Sequence, residues 1–172
     1  MTTRKRIALR LERWAGLLAL LACTALGAEL QLDDGSLIRY ELVASSSADS
    51  ATGTAQRLLS LLSEGKIDDA AALSNAPQRR RQVLSDYRDA VGEAEFRRVF
   101  AQYGSAPNRL VAELAIGKHH LLVWDLTDAN HRLAGQFYVR AADGFVLDDA
   151  PSEERSRLQR LLAAYRQGRI KP

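Results

Sequence analysis

The sequence predicts an α+β domain, with N-terminal helices packed on a curved antiparallel β-meander and a C-terminal helix closing the chain. Three observations lead there. Apolar residues recur at helical spacing between Leu58 and Tyr103. The period then switches to alternation between Arg109 and Asp148, with short turns between the strands. Helical spacing returns after Pro151. A change of hydrophobic period is the primary sign of a change of element.

Residues 1–28 read as a secretory signal peptide. Arg4, Lys5, Arg6, Arg10 and Arg13 form a basic leader, Trp14 to Ala22 is an uncharged apolar run, and Cys23 to Ala28 is rich in small residues. That order of charge, apolar run and small residues is the export pattern. The uncharged window, Trp14 to Ala28, is fifteen residues, against about 20 for a spanning helix. Small residues near Gly27 and Ala28 suit ordinary cleavage, which leaves a periplasmic protein. Leu20-Leu21-Ala22-Cys23 resembles a lipobox instead, which makes Cys23 a lipidation candidate and anchors the protein in the envelope.

Removing residues 1–28 changes the charge argument. Of 24 basic and 21 acidic residues, the leader takes five and one, leaving 19 and 20. The mature domain is near neutral, so no nucleic-acid partner is expected. It also lacks cysteine, since Cys23 is the only one. That excludes a disulfide, a thiol nucleophile and thiolate metal ligands.

The elements follow in order. Residues 29–43 read as a β-hairpin turning at Asp33-Asp34-Gly35, with Ile38, Tyr40 and Leu42 alternating against Leu37, Arg39 and Glu41. Residues 44–54 are small and polar and read as a Ser/Ala-rich linker, so the α+β domain proper is expected over 55–172. Thr54 is the expected N-cap of a helix carrying Leu58, Leu59, Leu61 and Leu62 and ending at Gly65. A short helix follows from Asp68, with Asp68 and Asp69 at its positive N-terminal end. Pro77 opens a third helix, with Val83, Leu84, Tyr87 and Val91 as its expected buried face. Gly92 interrupts it, and Phe96, Val99, Phe100 and Tyr103 continue at helical spacing.

Strands are expected over Arg109–Ile116, His119–Leu126 and Arg132–Ala141, with a fourth starting at Phe145. Gly117-Lys118 and Asp143-Gly144 supply hairpin turns. Phe137 and Val139 fall on one face and Tyr138 on the other. Ser152 caps the last helix, and Leu158, Leu161, Leu162 and Tyr165 fall at i, i+3, i+4 and i+7.

The segment Glu64 to Ser74 (EGKIDDAAALS), followed by further helices and a meander, resembles bacterial NTF2-like domains of the cystatin-like superfamily. The resemblance covers roughly Thr54 to Asp149 and implies a conical roll with a pocket between helices and sheet. That superfamily holds isomerases, dehydratases and many non-catalytic modules, so it does not by itself assign a reaction.

Candidate chemistry is sparse. His119 and His120 are neighbours on a strand and point to opposite faces, one beside Trp124 and the other beside Asp125. A zinc site needs three or four converging ligands, and only His131, in the loop after Asp128, remains. No metal or cofactor is expected. Asp125, Tyr138 and His120 are the candidates for acid–base catalysis if a cone gathers them, with Asp148, Asp149 and Tyr103 nearby. Trp124, Tyr138 and Phe137 are the candidate ligand-binding residues. Arg79, Arg80 and Arg81 fan around a helix start as a candidate contact for an anionic surface. The expected function is that of an exported, non-catalytic binding or interaction module of the envelope. Its expected partner is an envelope protein or a small apolar ligand, with a homodimer and a lipid-anchored membrane contact as further arrangements. The alternatives are a small pocket enzyme of isomerase, dehydratase or hydrolase type, and a structural lipoprotein at the outer membrane.

Overall fold

Residues 26–43, 50–105, 108–127 and 132–170 are described by a computed structural model of the chain. Residues 1–25 of the expected leader, Cys23 included, and the His131 loop lie outside the described residues. Two strands, β1 (Leu26–Gln31) and β2 (Leu37–Leu42), are joined by the expected turn. There the Asp34 carboxylate accepts from the Ser36 N–H at 2.9 Å and the Ser36 hydroxyl at 2.6 Å. Four helices follow: α1 (Ala51–Ser63), α2 (Ile67–Ala72), α3 (Pro77–Val91) and α4 (Glu93–Tyr103). Then come β3 (Arg109–Ile116), β4 (His119–Leu126), β5 (Arg132–Ala141), β6 (Gly144–Leu147) and α5 (Glu153–Arg166).

The strands form one antiparallel sheet in sequence order, β1-β2-β3-β4-β5-β6. The domain is therefore α+β, with helices on both faces. One core places Leu158, Leu161 and Leu162 of α5 against Leu30, Ile38, Leu114 and Leu121. The other places Leu58 and Leu62 of α1, Leu84 of α3 and Phe96 of α4 against Leu122, Tyr138 and Leu147. Burying each such side chain contributes about 1.5–3 kcal/mol. Strand alternation serves both layers: Leu121 and Val123 face α5, while Leu122 and Trp124 face α1–α4.

Several expectations are revised. The hairpin is not a separate N-terminal unit. Glu41 and Leu42 pair with Ala115 and Leu114, and the Val43 N–H donates to the Glu113 carbonyl at 3.0 Å. The N-cap of α1 is Ser50, whose hydroxyl accepts from the Gly53 N–H at 3.2 Å. Residues 51–54 of the expected linker are thus helical, and Thr54 instead donates to the Phe145 carbonyl at 3.0 Å. Of the face expected to be buried on α3, only Leu84 is fully so, and Val83 is 54% exposed. The reason is placement: α3 packs on α2 and α4 rather than on the sheet. Gly92, at φ 83°, links α3 to α4 in a backbone conformation that glycine adopts without strain.

The sheet's two ends differ. On β6, the Leu147 N–H donates to the Leu73 carbonyl at 2.7 Å and its carbonyl accepts from the Asn75 N–H at 2.9 Å, so the α2–α3 turn covers that edge. But β6 is four residues long and β5 is ten. Only Tyr138 to Ala141 pair with β6, so the first half of β5 has no strand beside it on that side among the described residues.

Candidate ligand cleft

The unpaired half of β5 borders a cleft between α1 and α4 on one side and α5 on the other. Three adjoining cavities of about 490, 390 and 300 Å³ make it up. Leu59 of α1 and Phe100 of α4 line all three. Trp124 lines the first two, and Gly135 and Gln136 line the last two. The walls are built by helical spacing. Leu58 and Leu62 turn into the core, which leaves Leu59 half-buried at its border. Phe96 and Phe100, one turn apart on α4, meet edge-on with centroids 4.8 Å apart.

The cleft's polar centre is Gln136. Its Oε1 accepts from the Trp124 indole N–H at 3.0 Å and from the Tyr138 hydroxyl at 3.3 Å. With both acceptor positions taken, the amide nitrogen is the end left for another group, and it donates to no group among the described residues. Tyr138 is fully buried, and burial pushes its phenol above the ordinary tyrosine range. It serves here as a neutral donor.

A polar junction closes the inner end of the cleft. Asp148 is 2% exposed. Its Oδ2 lies 2.9 Å from His119 Nδ1, and its Oδ1 accepts from the Asn75 amide at 2.8 Å. Asp149 pairs with the Arg80 guanidinium and accepts from the Ser74 hydroxyl at 2.6 Å. Burial raises the Asp149 pKa, but the hydrogen bonds from Arg80 and Ser74, with the charges of Arg80 and Arg155, outweigh it and hold the carboxyl below the usual range. Asn75 Oδ1 accepts from the Asp149 and Ala150 N–H groups at 2.8 and 2.9 Å. The Arg155 guanidinium donates to the Asp148 carbonyl and lies 5.3 Å from the Phe137 ring.

The candidate catalytic residues are not brought together. His120 and Tyr138 are cross-strand partners. Yet His120 Nδ1 sits 2.6 Å from Glu113 Oε1, its ring packs edge-on against Phe145, and the Tyr138 hydroxyl goes to Gln136. Asp125 lies five residues from His120 on β4, hence on the opposite face, where it meets Arg109 at 3.2 Å. Among the candidate ligand-binding residues, Trp124 lines the cleft, Tyr138 lies beneath it, and Phe137 reaches it from the α5 side. The three arginines do not form one basic face. Arg80 is held by Asp149, Arg81 meets Asp68 at 2.9 Å, and Arg79 reaches the Asp149 carbonyl at 3.5 Å. Among the described residues, no group of three or more His, Cys, Asp or Glu could hold a metal ion, and no helix is long and apolar enough to cross a membrane.

Gln136, Leu59, Phe100 and Arg166 line the cleft but are not among the candidate site residues expected from the sequence. Gln136 carries a signal: it falls on the inward phase of β5 set by Tyr138, where an apolar residue is the default. No protein-family model, no curated protein and no solved structure matches the chain.

Proposed function

We propose that this chain is an exported binding module of the bacterial envelope, and that the cleft beside β5 holds its ligand. The observation that carries the reading is the cleft itself: in its 390 Å³ part, Leu59, Phe100, Trp124 and Leu126 surround the Gln136 amide, whose acceptor end is already satisfied. Few, placed polar groups in an apolar hollow are the composition of binding sites. The divergence of Asp125, His120 and Tyr138 supports binding over acid–base chemistry at those residues. Helices preceding an antiparallel meander support an NTF2-like roll, with α5 on the opposite face as an addition to that plan.

Export rests on the leader, and β1 bears on how it is processed. Cleavage after Gly27 or Ala28 would remove two or three of the six β1 residues that pair with β2, whereas cleavage before Cys23 keeps all six. This favours the lipid-anchored form over the freely periplasmic one.

A second reading, a pocket enzyme, draws on the His119–Asp148 pair, because Asp148 also lines the 300 Å³ cavity. One experiment tests both. The chain is purified from envelope extracts, and bound compounds are identified by native mass spectrometry. Leu59→Arg, which puts a charge into the cleft without touching Leu58 or Leu62, is run beside it. A bound compound lost in Leu59→Arg supports the cleft. Equal retention by both overturns it. Recovery of that compound chemically altered after incubation favours the enzyme.

A further inference from the structure

We propose that the open edge of β5 receives an extended peptide with an acidic end, which pairs with Leu133 to Phe137 as an added strand. This rests on the cleft being the binding site and names the class of partner it takes.

The backbone directions decide it. The Leu133 carbonyl accepts from Arg166 Nε and Nη2 at 3.0 and 2.8 Å, and the Phe137 carbonyl accepts from the Asp148 N–H at 2.9 Å. Both point away from β4. By strand alternation, the N–H and C=O of Gly135, midway between them, point the same way. Neither group has a hydrogen-bond partner there among the described residues. The Leu133 and Phe137 carbonyls are thus already used, while Gly135 between them offers both a donor and an acceptor to the cleft. Leaving such groups unpaired is costly once water is displaced. An alkyl chain displaces the water and pairs neither group. A peptide backbone carries both partners at the strand repeat. From Leu133 to Phe137 the edge runs about 13 Å, at ~3.3 Å per residue, room for an extended tetrapeptide.

Gln136 Nε2 adds a donor beside the edge. Arg166 places a positive charge at the Leu133 end, and the described residues lining the 390 Å³ cavity include no carboxylate. The Arg166 guanidinium spends Nε and Nη2 on Leu133, which fixes it over the edge with Nη1 directed elsewhere. An acidic side chain or a free C-terminal carboxylate complements that end.

The test uses the full chain, labelled with ¹⁵N, and a pool of N-acetylated tetrapeptides made from Val, Thr, Leu and Asp with free C-termini. The expected result is a shifted and exchange-protected Gly135 amide. The best binder should lose about tenfold in affinity when its alternate amides are N-methylated, the worth of about one hydrogen bond. Arg166→Gln should weaken it several-fold, and amidating its C-terminus should do the same. Equal binding by the N-methylated peptide overturns strand addition, and an unmoved Gly135 amide with every peptide does so too. A naphthalene-sulfonate fluorophore serves as the control for the cleft itself. If it binds wild type but not Leu59→Arg while the peptides fail, the cleft stands and only the peptide assignment falls. If it binds neither, both readings fall.

Discussion

Asp149 shows how one residue's surroundings set its contribution. Its carboxylate is desolvated, yet Arg80 and Ser74 hold it ionised below the ordinary aspartate value of 3.8. A depressed folded-state pKa means that the stabilisation is fully present above the unfolded value and is lost as pH falls through the lower folded one. Acid unfolding should therefore draw on this group below about pH 4. Asp149→Asn is expected to lose about 1–3 kcal/mol at neutral pH and to flatten the fall in stability below about pH 4, as read by urea unfolding across the acid range. An unchanged acid limb would show that the Arg80 pair carries no linkage. The same residue explains why the arginine run is not a uniform basic face. Arg79 and Arg80 both reach Asp149 in the β6–α5 connection, while Arg81 turns away to Asp68.

At the scale of elements, the decisive contact is between β5 and α5. A Cβ built on Gly135 would lie 2.5 Å from Leu162 Cδ2 and 3.0 Å from Leu121 Cδ1. Glycine thus sets how closely α5 rests on the sheet. Gly135→Ala should cost about 1–3 kcal/mol through overpacking. Combining it with Leu162→Ala should recover part of that loss, so the double mutant falls short of additive destabilisation in chemical denaturation. Additive costs would mean that the helix shifts freely to accommodate the methyl. Element boundaries were readable where the signal is local. Ser152 caps α5, accepting from the Arg155 N–H at 3.0 Å, as its place before two acids implies. Local sequence points to Thr54 as the cap of α1, because Ser50 belongs to a small polar stretch that has the composition of a linker. The Thr54 hydroxyl is instead used 91 residues away, at Phe145.

At the scale of the molecule, β1 overlaps the end of the proposed leader. It forms an edge of the sheet, and its register with β2 runs from Leu26↔Leu42 to Gln31↔Leu37. Mass spectrometry of the mature N-terminus is expected to find acylated Cys23, and a chain begun at Glu29 should unfold at lower urea than one begun at Cys23. An unmodified terminus at Ala28 or Glu29, with undiminished stability, would sink the anchored form. The sequence reading stopped its leader at Ala28 because Leu26-Gly27-Ala28 has the small side chains of a cleavage motif. The same three residues serve as strand once β2 lies beside them.

The sequence by itself determined the order of helices and strands, the turns at Asp34-Gly35 and Asp143-Gly144, and which strand positions share a face. All of these depend on residues within about a turn or a pleat of one another. That parity already separated Trp124 from Asp125 and Phe137 from Tyr138. Only the tertiary structure decided that His119 meets Asp148, 29 residues away, that Asn75 meets Asp148 across 73, and that β6 stops short of pairing with all of β5. Those outcomes depend on how the layers close on each other, and closure is a property of whole faces that no local spacing encodes. The cleft, and the open backbone edge within it, exist because of that closure.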